Sequence, residues 1–159
     1  MLRKVSILVG TMTGTAELVA SEVQAALELT GRETAVALMD DLTPEALAED
    51  ATFLICTSTY GNGDVPDNAQ AFFSALETDR PDLSNVRYGL ISLGDRTYKA
   101  TFCQGGLKFD ALLSELGAKR LGEPLLHDAG SGTLPEDVAA AWSVTWAEEI
   151  AANAVEAVA

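Results

Sequence analysis

Apolar positions along this chain fall into two alternating rhythms, short continuous runs and helical stripes. Lys4–Val9 (Val5, Ile7, Leu8, Val9) reads as a first strand. Thr15–Thr30 follows with Val19, Val23, Ala26 and Leu27 on one helical face, and Gly31 supplies a stop. Thr34–Met39 predicts a second strand. Thr43, placed before Pro44, predicts an N-cap for a brief helix over Pro44–Glu49. Thr52–Thr57 is almost wholly apolar, as expected of a central parallel strand covered on both faces. Asp67–Glu77 predicts a helix with Phe72, Phe73 and Leu76 inward, then Val86–Leu93 a fourth strand. Gln104–Leu116 predicts a helix buried through Phe109, Leu112, Leu113 and Leu116, and Lys119–Leu126 a fifth strand. Glu136–Ala157 closes the series as an alanine-rich helix with Val138, Trp142, Trp146 and Ile150 near one stripe.

Such strict β-α alternation predicts an α/β fold, a doubly wound five-stranded parallel sheet with helices on both faces and right-handed crossovers. The length of 159 residues suits one domain over 1–159, with no repeat or linker in view. Ligands of these sheets bind beyond the carboxyl ends of the strands. Three loops at such ends carry the candidate chemistry.

The first loop, Thr11-Met12-Thr13-Gly14-Thr15-Ala16, opens directly into a helix. Thr11, Thr13 and Thr15 offer hydroxyl donors, Gly14 permits close backbone approach, and the helix N-terminus adds its positive end. No lysine or arginine lies between Lys4 and Arg32, so an anion here would be held by hydrogen bonds and dipoles alone. The pattern is neither G-x-G-x-x-G nor G-x-x-x-x-G-K-[ST], which sets aside dinucleotides and nucleoside triphosphates. Taken alone, it also reads as an ordinary helix cap. The second loop, Ser58-Thr59-Tyr60-Gly61-Asn62-Gly63-Asp64, and the third, Gly94-Asp95-Arg96-Thr97-Tyr98, each carry one tyrosine. Two tyrosines in neighbouring loops opposite a phosphate cradle point to a planar ligand stacked between them.

The runs Thr-x-Thr-Gly-Thr-Ala-Glu, Ser-Thr-Tyr-Gly-Asn-Gly-Asp-x-Pro-Asp-Asn-Ala and Leu-Gly-Asp-Arg-Thr-Tyr-x-x-Thr-Phe-Cys resemble short-chain flavodoxins of the MioC type. They are similar also to the FMN domains of sulfite reductase and related diflavin reductases. The resemblance spans essentially the whole chain and implies a flavodoxin-like sheet of strand order 2-1-3-4-5. It implies FMN, with phosphate at Thr11, Met12, Thr13, Gly14, Thr15 and Ala16. The isoalloxazine would lie between Tyr60 and Tyr98, within the loop Ser58, Thr59, Gly61, Asn62 and Gly63. Ring-edge contacts would come from Gly61, Leu93, Gly94, Asp95, Thr101, Phe102, Cys103 and Gln104. The chain departs from the diflavin reductases in having no room for FAD and NADPH modules, and it lacks the long-chain insertion in the last strand. Its segment Tyr98–Phe102 is one residue longer than in some relatives.

Charge sharpens the partner expectation. A formal net charge of −14 argues against nucleic acid, and 48% hydrophobic residues argue against disorder. A solvated acidic surface or a docking face for basic redox partner proteins, a flavodoxin-reductase-type donor and an acceptor, remain as its two readings. No apolar run reaches the ~20 residues of a membrane span, and Met1-Leu2-Arg3-Lys4 enters the first strand without a signal-peptide pattern. A cytoplasmic monomer with no membrane partner is expected. Cys56 and Cys103 are expected as free thiols, His127 as a surface or packed residue and the pair Trp142–Trp146 as core, with no catalytic residue and no metal. The expected function is one-electron transfer on FMN. The alternatives are an NAD(P)H-dependent quinone or azo reductase of the same fold and a cofactor-free interaction module. A phosphoacceptor module is set aside, because Gly10-Thr11 and Thr57-Ser58 stand where its aspartates belong.

Overall fold

The computed structural model describes residues 4–12, 14–59 and 63–158. The first five strands are β1 (Val5–Gly10), β2 (Thr34–Leu38), β3 (Thr52–Thr57), β4 (Arg87–Gly94) and β5 (Lys119–Arg120). They lie in the order β2-β1-β3-β4-β5, all parallel, as the resemblance implied. The helices are α1 (Thr15–Leu29), α2 (Gln70–Asp79), α3 (Gln104–Glu115) and α4 (Pro135–Val158).

Alternation along each strand decides which helices it holds. Val5, Ile7 and Val9 of β1, Leu54 and Cys56 of β3, and Ile91 and Leu93 of β4 face α1 and α4, where Val19, Val23, Leu27 and Trp146 meet them. Leu8, Phe53, Ile55, Tyr88 and Leu90 face the other way, against Phe72 and Leu76 of α2 and Phe109, Leu112 and Leu113 of α3. Every residue of β1 and β3 is buried, which is why those strands read as unbroken apolar runs. Each large side chain so buried contributes roughly 1.5–3 kcal/mol.

Three local expectations are corrected. Lys119–Leu126 is not one strand: β5 stops at Arg120, and a sixth piece, β6 (Leu125–Asp128), resumes pairing with the same strand β4. Gly122 between them has φ +75°, and Pro124 has no N–H to give a ladder. The interruption is put to use, since the Leu121 carbonyl accepts a hydrogen bond from Trp146 Nε1 at 2.8 Å. Asp110 secures the short β5 from α3, accepting from Tyr88 Oη and, at 2.6 Å, from Arg120 Nη1. The second correction is Thr43, which makes no capping bond to the 3-10 turn Pro44–Ala48. Its hydroxyl goes to the Glu45 carboxylate and holds that group below its ordinary pKa. The helix expected from Asp67 begins as a 3-10 turn, Asp67–Ala69, and becomes α-helical only at Gln70. Among the described residues no helix is long and apolar enough to cross a membrane.

Candidate functional site

β1, β3 and β4 deliver the three loops to one end of the sheet. At the first, Gly14 turns the chain with φ +93° and ψ −5°, a conformation suited to glycine, and α1 starts at the next residue. Among the described residues no side chain caps this end. Leu18 N donates to Gly14 O at 3.0 Å, and the amides before it precede the first turn's acceptors, as at any helix start. Thr11 Oγ1 accepts from Gly14 N at 2.9 Å and keeps its own proton to donate. Thr15 is exposed, while the Ala16 side chain is fully buried and can offer a ligand only its backbone. Met12 is 40% exposed, its sulfur accepting from Asp67 N at 3.2 Å. Thr13 lies outside the described residues.

The second loop is tied to both neighbours. Ser58 N and Oγ both donate to Gly10 O, at 3.0 and 3.3 Å. Thr59 Oγ1 donates to Leu93 O at 3.0 Å and accepts from Gly105 N at 3.1 Å, latching β3, β4 and α3 together. Tyr60, Gly61 and Asn62 lie outside the described residues, and the chain resumes at a buried Gly63.

The third loop is a series of tight turns. Asp95 Oδ1 accepts from Thr97 N at 2.8 Å and Asp95 O from Tyr98 N at 3.0 Å. Tyr98 O then accepts from Thr101 N, and Thr101 O from Gln104 N. The result displays Tyr98 with 66% of its surface exposed, an aromatic ring on the face where the loops converge. Phe102 is turned under the Arg96 guanidinium, 4.4 Å from its ring centre. Cys103 caps α3 in the left-handed region, φ +55°, with Sγ directed to Ser92 O (3.2 Å) and His127 O (3.7 Å). Burial pushes this thiol up to about 11, so it stays protonated and acts as a donor to the sheet. Gly94 must be glycine, because a Cβ there would sit 2.5 Å from Cys103 N. Cys56, on β3, is also a free buried thiol, pushed up to about 12.

Of the expected site residues, Thr11, Gly14, Thr15, Ser58, Thr59, Gly94, Asp95 and Tyr98 thus converge, whereas the side chains of Ala16 and Cys103 point into the protein. Two further residues organise the loops and were missed. Asn68 accepts from Thr11 N at 2.7 Å and donates to Val9 O at 3.1 Å. Asp128, at the end of β6, accepts from Arg96 N and Gly130 N, both at 3.0 Å. Both are amide- or carboxylate-bearing residues at a strand end or turn, a signal present in the run Pro-Asp-Asn-Ala but indistinguishable there from a surface turn. His127 is buried and bonded through Nε2 to Thr133 Oγ1 at 2.9 Å, which makes it a packed residue and not a surface one.

The Flavodoxin family matches this chain over residues 7–142. The chain belongs to the flavodoxin family. Flavodoxin YqcA of Escherichia coli K12 is 39% identical over 145 residues, covering 91% of this chain and 97% of that protein. Protein MioC of Escherichia coli O157:H7 is 37% identical, covering 89% and 95%. A solved flavodoxin from Pseudomonas aeruginosa, a cysteine-to-alanine mutant, superposes with a TM-score of 0.78 at 37% identity, covering 91% and 97%. The protein is therefore an FMN-dependent electron-transfer flavodoxin that works with redox partner proteins. Its own geometry suits that cofactor. A helix N-terminus with no side-chain cap among the described residues, a left-handed Gly14 with no atom within 4 Å of where a Cβ would be, and an exposed ring at the same sheet end match a phosphate joined to a flat aromatic group.

Proposed function

We propose that this flavodoxin holds FMN by the loops at residues 11–16, 58–63 and 93–104, and passes single electrons from a reductase-type donor to an acceptor enzyme. The observation that carries this reading is the start of α1, uncapped among the described residues and placed directly behind the Thr11–Gly14 turn. The first amides of α1, with the hydroxyls of Thr11, Thr13 and Thr15, would bind the phosphate dianion without a cation. Tyr98 would cover one face of the ring and exclude water from it, with Tyr60 on the other. Backbone groups of Gly61, Gly94, Asp95 and the segment 101–104 would meet the ring edge, and Leu93 would line it. FMN supplies the redox chemistry, and the protein supplies binding, orientation and the electrostatic surroundings. A monomer in the cytoplasm that docks basic partners through its acidic surface completes the proposal.

The test is a flavin titration. Thr13→Ala removes one donor to a charged acceptor and should weaken FMN by ~1.5–3 kcal/mol, roughly 10- to 150-fold, while leaving riboflavin nearly unchanged. Equal losses for both ligands would take Thr13 out of phosphate binding. Mixing the FMN-loaded protein with NADPH alone should leave the flavin absorbance unbleached, and rapid bleaching would instead identify a stand-alone reductase.

A further inference from the structure

β1 extends past the end of its neighbour. Its pairing with β2 ends at Val9↔Leu38, after which the β2 chain leaves in the 3-10 turn Met39–Asp41. On the opposite edge β1 still pairs with β3 at Gly10↔Thr57. Val5 N bonds to Glu33 O just before β2, and groups on alternate residues share an edge, so Val9 O and Thr11 N also face the β2 side. There Thr11 N has no backbone acceptor among the described residues, since Met39 O accepts instead from Leu42 N. The side chain of Asn68 fills the gap: Nδ2 donates to Val9 O and Oδ1 accepts from Thr11 N. A parallel strand opposite Gly10 would present the same donor and acceptor to the same two groups. Asn68 therefore acts as one residue of a strand that β2 does not provide. From Thr11 the chain of bonds continues through Oγ1 to Gly14 N, the residue that turns into α1.

We propose that Asn68 is the positioning residue of the phosphate loop, fixing Thr11 and through it Gly14 so that the α1 amides and the threonine hydroxyls present one preformed anion site. Asn68 does this from the second loop's descending arm, five positions after Gly63, so it also couples the phosphate loop to the ring-binding loop. The inference rests on the phosphate reading of residues 11–16 above. Aspartate cannot replace it: a carboxylate keeps the acceptor for Thr11 N but sets an oxygen against Val9 O and a negative charge beside the anion site.

The experiment titrates the full-length apoprotein with FMN and with riboflavin, for the unaltered chain, Asn68→Ala and Asn68→Asp, and follows amide hydrogen exchange in the same apoproteins. The unaltered chain should prefer FMN strongly. Asn68→Ala should lose about tenfold in FMN affinity and less than about twofold for riboflavin, with Asn68→Asp losing more for FMN than Ala does. Exchange at the Thr11 amide should quicken by about tenfold or more in Asn68→Ala, and less in Asn68→Asp, which keeps the acceptor for that amide, while the β3 amides keep their protection. FMN and riboflavin affinities falling together, or an unchanged Thr11 exchange rate in Asn68→Ala, would overturn the positioning role. An unaltered chain with no preference for FMN would instead overturn the phosphate reading beneath it. If Asn68→Ala does not fold, Asn68→Asp, which keeps shape and the bond to Thr11 N, decides by its loss for FMN against riboflavin.

Discussion

Two backbone N–H groups, of Arg96 and Gly130, converge on Asp128 Oδ1, and the Arg96 guanidinium stands 4.0 Å from Oδ2. These donors hold the carboxyl below its ordinary value of 3.8. A depressed folded-state pKa means that the ionised carboxylate stabilises the fold in full above the unfolded value of about 4. That contribution is lost as pH falls through the folded value. Asp128→Asn should therefore flatten the acid limb of stability: between about pH 5 and pH 2 its unfolding free energy should drop less steeply than that of the unaltered protein. Urea unfolding across that range measures it, and parallel slopes would show that Asp128 is not linked to folding. At this scale the sequence was legible where a residue acts through its own chemistry, as with the hydroxyl of Thr11 and the flexibility of Gly14. It was illegible where the role comes from a neighbour's shortfall. Asn68 matters because β2 ends at Leu38, and nothing near residue 68 records that. Likewise Cys103 was expected at the ring edge, yet its buried Sγ is turned to the sheet by the left-handed backbone of its own cap.

Elements were legible in proportion to the strength of their periodicity. β3 matches its expected span, and α1 and α3 begin at their expected first residues, because long one-sided stripes and unbroken apolar runs each admit one solution. The Lys119–Leu126 strand was drawn too long because apolar pattern does not register the bulge that Trp146 exploits. That indole lies against Gly89 of β4, where a Cβ would be 2.6 Å from its ring atoms, and stacks on Trp142 with ring centres 5.7 Å apart. Gly89→Ala should overpack this contact and lower stability by ~1–3 kcal/mol. In a Trp146→Phe background, where the ring is smaller, the same change should cost clearly less, giving a coupling of opposite sign to the single loss. Denaturant unfolding followed by far-UV circular dichroism on the four chains of the cycle tests it. Additive losses would mean that Gly89 serves the strand backbone and not the indole.

The whole molecule carries a formal charge of −14. Its pairs are chiefly exposed, as with Asp64–Lys108 at 2.8 Å and Arg80–Glu115 at 3.3 Å, and contribute little to stability. The excess charge acts instead at long range. Reduction by a basic donor protein should slow steeply as salt rises from ~0.05 to ~0.5 M, since screening shortens the reach of the acidic field. Stopped-flow rates would record this, and a flat profile would leave the charge a solubility device. Charge, strand-helix order and the three loop motifs are properties of the chain read in one dimension, because net charge sums over residues and hydrophobic period follows from local geometry. The sequence by itself therefore determined the parallel α/β layout, the gathering of the three loops at one end of the sheet and the family it belongs to. Tertiary structure alone decided which strand ran short, which side chain replaced it beside Gly10, and where the last strand broke to meet Trp146. Those outcomes depend on pairing partners far apart in sequence, and a backbone group left without one must find it wherever the fold brings a donor or acceptor near.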